Sequence, residues 1–110
     1  YLIFNEALKY DTVNEIISMT SYHTVYTDKN GNEKTLSVKN TNQYLAGDVA
    51  APDRVTVIGG KTGTTSAAGN CLILLARDTS GNPYIAVILK SAERGILYTE
   101  MNALLKQATS

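Results

Sequence analysis

At 110 residues, with 44% hydrophobic and 18% charged side chains, the chain has the make-up of an ordinary globular protein with one modest core. It reads as a single unit over residues 1–110. Ten basic and ten acidic residues cancel, so no basic face marks a nucleic-acid partner, and none is expected. The longest apolar runs, Cys71 to Ala76 and Tyr84 to Leu89, fall well below the roughly 18 residues of a membrane-spanning helix. Cys71 is the only cysteine, which excludes an internal disulfide and any zinc-ligand spacing; neither metal nor cofactor is expected. Its place in an apolar run predicts a buried, unreactive thiol.

The chain opens on Tyr1 inside a helical pattern, Leu2, Ile3, Phe4, Ala7 and Leu8, and so reads as starting within a longer protein. Val13, Ile16, Ile17 and Met19 predict a second short helix, capped at Asp11 or Thr12. From Tyr22 to Thr27 and from Lys34 to Val38 the residues turn aromatic and β-branched, predicting a hairpin closed around Asn30-Gly31. The polar stretch from Asn40 to Arg54 reads as a connecting loop. Three strands follow: Val55 to Ile58 leading into glycines, Cys71 to Ala76, and Tyr84 to Leu89, the last two joined by the turn from Asp78 to Pro83. Ile85 to Leu89 lacks polar alternation, which predicts a central strand covered on both faces. Leu97, Met101, Leu104 and Leu105 make one stripe of an amphipathic C-terminal helix. The expected fold is α+β, an antiparallel sheet of three core strands plus a hairpin, packed with N-terminal helices and the C-terminal helix.

Gly59-Gly60-Lys61-Thr62-Gly63-Thr64-Thr65 concentrates glycines, hydroxyls and a lysine between strands, a composition suited to a bound anion. A nucleotide-binding P-loop would need glycine at position 55, where Val55 stands. The Lys-Thr-Gly box of penicillin-recognising serine enzymes fits better. With Ser66-Ala67-Ala68-Gly69-Asn70-Cys71-Leu72 behind it, Leu36-Ser37-Val38-Lys39-Asn40-Thr41-Asn42 ahead of it and the hairpin Tyr84 to Leu89 after it, the chain resembles the D-alanyl-D-alanine carboxypeptidases among the penicillin-binding proteins. The ordered set covers essentially the whole chain, as the second portion of a β-lactamase/transpeptidase-like fold.

The resemblance implies a serine peptidase that trims peptidoglycan stem peptides ending in D-Ala-D-Ala, binds β-lactams and works outside the cytoplasmic membrane. Lys61, Thr62, Gly63 and Thr64 would bind substrate. Lys61 and Thr64 would also assist catalysis, Lys61 as a fixed charge and Thr64 through its backbone N–H at the oxyanion. No serine here has a lysine three residues on, so the nucleophile and its partner motif are expected upstream and the chain alone is expected to be inactive. A transpeptidase or β-lactamase shares the box, and a non-catalytic peptide-binding module needs no serine. A solvated edge lysine is the bland alternative for Lys61, and the ordered context favours the functional reading; Thr65 reads as an ordinary strand residue, Gly59 and Gly60 as a bulge, His23 as structural, and Asn40 and Asn42 as turn formers. In the family fold upstream strands would lie beside Ile85 to Leu89. Their absence would leave an apolar edge, expected to be covered by another element or, through self-association, by a second copy.

Overall fold

The computed structural model describes residues 1–109. Helices α1 (Leu2–Ala7) and α2 (Asp11–Ile17) lead into a two-stranded antiparallel sheet of β1 (Ser21–Thr27) and β2 (Glu33–Lys39). After α3 (Gln43–Ala46) comes a three-stranded antiparallel sheet of β3 (Val55–Thr65), β4 (Gly69–Asp78) and β5 (Pro83–Ser91), closed by α4 (Arg94–Thr109). The α+β class and the order of elements agree with the sequence reading.

One turn design closes the β1–β2 and β4–β5 hairpins. Asp28 Oδ1 accepts the N–H groups of Asn30 and Asn32, and Asp78 Oδ1 accepts those of Ser80 and Asn82. In each, the glycine three residues after the aspartate, Gly31 or Gly81, has positive φ and donates to the aspartate carbonyl. A short acceptor side chain followed by a left-handed glycine reverses the chain without strain.

The core lies between α4 and one face of the larger sheet. Leu97, Tyr98, Met101 and Leu105 of α4 pack on Leu72, Leu74, Ala76 and Ala86, with Val55 beneath. Each fully buried Leu or Met contributes about 1.5–3 kcal/mol relative to exposure. Directly opposed residues share a face of a sheet. Val55 and Val57 oppose Asp78 and Ala76, while Gly60, Thr62 and Thr64 oppose Leu74, Leu72 and Asn70, so all five lie on the α4 side. Such sharing across an odd spacing requires the register shift between Val57 and Gly59, which inserts Ile58 as an extra residue. Regular alternation would carry Lys61 to the α4 face instead.

The two glycines after the bulge allow close packing. A Cβ on Gly60 would overlap the Ile73 carbonyl oxygen, and one on Gly59 would come within 2.8 Å of Ile17 on α2. The bulge predicted at these positions is therefore also a contact point for two other elements.

Several expectations change. β4 is the central strand and β5 an edge. The apolar run in β5 reflects one face under α4 and another that nothing in this chain encloses: Leu89 is 72% exposed. No described element pairs with that edge, so the first of the two expected covers, another element of the chain, is not the one seen. The Asn40–Arg54 loop contains α3, whose start is capped when Asn42 Oδ1 accepts the Tyr44 N–H, and whose end is formed by Gly47 at φ 85°. Cys71 is only half-buried, because it lies near the open end of β4 beside the turn. The radius of gyration, 15.8 Å, exceeds the roughly 13 Å of a compact chain of this length. Apolar side chains on α1 and the β1–β2 hairpin, among them Ile3 at 88% exposure and Val25 at 55%, remain uncovered.

Replacing Gly60 with Ala is expected to lower unfolding stability by about 2–3 kcal/mol, through overpacking against backbone that cannot yield; chemical denaturation of the chain measures it. A second outcome concerns pH. Hydrogen bonds from the Asn82 side chain first, then from the Asn82 backbone, Tyr84 and Ser80, hold the Asp78 carboxyl below its ordinary value. A depressed carboxyl stabilises the fold above its unfolded pKa, and that contribution is lost as pH falls through the depressed folded value. Asp78→Ala should therefore lower the melting temperature at neutral pH, and the gap from the parent chain should close on acidification.

Candidate functional site

The bulge divides Lys61-Thr62-Gly63-Thr64 between two sides of the sheet. On the α4 side, Thr62 and Thr64 line a cleft of about 250 Å³ with Thr41, Asp48, Asn70 and Arg94. On the other, Lys61 lines a wider, mainly apolar groove of about 760 Å³ with Ile16 and Ile17 of α2, Met19, Tyr22 of β1 and Val38 of β2. β3 is itself an edge strand, so the backbone groups it turns away from β4 have no strand partner.

Each hydroxyl in the cleft has a partner. Thr62 and Thr41 meet oxygen to oxygen at 2.7 Å. Thr64 donates to Asn70 Oδ1 at 3.3 Å, and the Asn70 amide nitrogen is committed to the carbonyls of Ser91 and Ala92. Lys61 Nζ donates to the carbonyl of Thr62 and is otherwise exposed. A Cβ built on Gly63 meets nothing within 4 Å, and φ there is not positive. Nothing among the described residues therefore requires glycine at this position. Thr65, the last residue of β3, accepts the Ala68 N–H at 2.9 Å and so also shapes the β3–β4 turn.

Charge in the cleft is lopsided. Asp48 is paired with Lys39 at 3.2 Å, whereas among the described residues no carboxylate lies in ion-pair range of Arg94. The guanidinium is the cleft's unneutralised charge, in a fork geometry suited to a carboxylate.

The wall opposite β3 is held by tyrosines. The Tyr98 hydroxyl accepts the Gln43 N–H at 3.0 Å and donates to the Thr41 carbonyl at 3.4 Å. Tyr44 meets the Tyr98 ring edge-on at 5.3 Å and donates its hydroxyl to Asn102 at 2.7 Å. Burial first, and the neighbouring Tyr98 second, push the Tyr44 hydroxyl well above its usual pKa, so it remains a donor throughout the neutral range.

Of the four motif residues, Thr62 and Thr64 line the cleft, beside Arg94, Thr41 and Tyr98, which the sequence reading did not single out as site residues. Arg94 is remote from the box in sequence, and only the return of α4 across the sheet brings it in. Asn40 and Asn42 are turn formers as expected, and His23 bonds to Ser37 across the hairpin at 2.7 Å. Ser80-Gly81-Asn82 has the S-x-N spacing of a second serine motif, which the sequence reading overlooked. It forms the β4–β5 turn beside Asp78, five residues along β4 from the partner of Lys61, or about 17 Å at the usual rise per residue.

Comparison with known proteins accords with this geometry. Two solved structures, both variants of the Streptomyces K15 DD-transpeptidase, are similar to the chain at TM-score 0.74, with 25% and 24% identity. Each alignment covers 90% of this chain and 36% of that one, so the chain spans about a third of their length. A search of curated proteins returns no match. The sequence matches the D-alanyl-D-alanine carboxypeptidase family over residues 5–93, and the chain therefore belongs to that family.

Proposed function

We propose that this chain is the C-terminal part of the catalytic domain of a serine-type D-Ala-D-Ala carboxypeptidase and supplies its substrate-binding strand. The observation that carries the reading is a Lys-Thr-Gly segment on a free-edged strand, with two hydroxyls and an unneutralised arginine on one cleft, in a chain of this family. A stem peptide ending in D-Ala-D-Ala would add to the open edge of β3 as another strand. Open space at Gly63 supports this, since the need for glycine then comes from something that lies against the strand.

In the parent, a serine oxygen supplied by the rest of the protein bonds to the carbonyl carbon between the two D-alanines. The C–N bond breaks, the terminal D-alanine leaves with a proton on its amine, and water then hydrolyses the acyl-enzyme. Thr62 and Thr64, with Arg94, would hold the terminal carboxylate; the Thr64 N–H would face the oxyanion. Lys61, on the opposite face, would set a positive charge toward the remainder of the active site. β-Lactams would acylate the same serine. The site would work outside the cytoplasmic membrane, where its substrate is. The free β5 edge near Ile85 to Leu89 would pair with upstream strands of the parent or with a second copy.

The likeness to a DD-transpeptidase favours one second reading, transfer of the acyl group to an amine instead of water. The full-length parent should release D-alanine from a D-Ala-D-Ala-ended peptide, and an added amine acceptor reports how much product is transferred rather than hydrolysed. Lys61→Ala should reduce kcat/KM by on the order of 100-fold or more, in line with loss of a preorganised electrostatic group. Gly63→Ala should leave stability within about 0.5 kcal/mol yet cut kcat/KM about tenfold or more. The 110-residue chain alone should not be labelled by fluorescent penicillin. Rapid penicillin turnover without D-alanine release would assign the parent to the β-lactamases instead.

A further inference from the structure

Thr41 has no part in the reading above, yet its hydroxyl lies 2.7 Å from that of Thr62, a favourable O–H···O distance. The segment carrying it is tied down. Asn40 donates to the Met19 carbonyl at 2.7 Å and accepts the Asn42 N–H at 2.9 Å. Asn42 is 1% exposed, and the Thr41 carbonyl accepts from Tyr98. A fixed loop thus presents one hydroxyl to a threonine on the edge strand, in the cleft that holds Arg94.

Two hydroxyls joined by one hydrogen bond have two protons between them, one in the bond and one free. The bond admits either direction; in the one in which Thr41 donates to Thr62, the Thr62 proton is free for an anion lying along β3, and such a charge-assisted bond is roughly twice as strong as a neutral one. Donation into the Thr62 oxygen also polarises its own O–H. Thr64 differs: its proton is directed to Asn70 Oδ1, since the Asn70 nitrogen is already used on two carbonyls. Thr62 is therefore the hydroxyl with a proton to offer. We propose that Thr41 is a positioning residue that acts through Thr62, turning its hydroxyl to donate to the carboxylate of a D-Ala-ended peptide. The inference rests on the proposed function and adds a residue to the recognition of that carboxylate.

The test uses the full-length parent and a D-Ala-D-Ala-ended peptide. Thr41→Val should raise KM about tenfold, the scale of one net hydrogen bond, with kcat within about twofold. Thr41→Ser, which keeps the hydroxyl, should restore KM to within about twofold of the parent. Adding Thr41→Val to Thr62→Val should cause no further loss, because Thr41 acts only through Thr62. If Thr41→Val does not fold, Thr41→Ala is read in the same way. An unchanged KM, a loss that serine does not rescue, or a full additional loss on the Thr62→Val background would overturn the inference. A wild-type parent that neither releases D-alanine nor takes up penicillin removes the underlying reading and this inference with it, a result distinct from an active wild type indifferent to Thr41.

Discussion

The β-bulge at Ile58 sets the phase of β3, and the rest of the site depends on that phase. Ahead of the bulge, Val55 and Val57 point into the core beneath α4; beyond it, the even-numbered residues take their place. One inserted residue thus lets a strand contribute apolar side chains to the core at one end and threonine hydroxyls to a polar cleft at the other, on the same face. The cost is local crowding, met by two glycines where the carbonyl of Ile73 and the end of α2 approach the backbone.

Because of that phase, Lys61 and the threonines serve different surroundings. The hydroxyls share a cleft with Arg94 and the Thr41 loop, a wall made rigid by Tyr98 and the two asparagines around Thr41. Lys61 faces a broad groove with a mainly apolar lining. Apolar side chains of α1, the β1–β2 hairpin and the β5 edge are uncovered as well. The chain, which spans about a third of the similar structures, has a well-packed core on one face of its larger sheet and exposed apolar side chains elsewhere.

Much of this was legible in the residues. The Asp-x-x-Gly-Asn turns, the α4 stripe and the hairpins follow from short-range chemistry, and each was read near its true place. The motif could be recognised because its chemistry is compact in sequence. What could not be read depends on distant contacts. Uninterrupted apolarity in β5 reads as a covered central strand, whereas β5 is an edge with Leu89 exposed. α3 is too short to show a period and owes its place to Asn42 and to Tyr44 packing on Tyr98. Arg94 joins the cleft only through the path of α4. Gly59-Gly60 signalled a bulge, but the resulting exchange of faces emerges only from the pairing of β3 with β4.

The phase of β3 is most directly tested by side-chain NOEs in solution. The account predicts contacts from the Thr62 methyl to the side chains of Thr41 and Leu72, with none from the Lys61 methylenes to Tyr98. Contacts from Lys61 to Leu72 or Tyr98, with Thr62 turned to the opposite face, would contradict it.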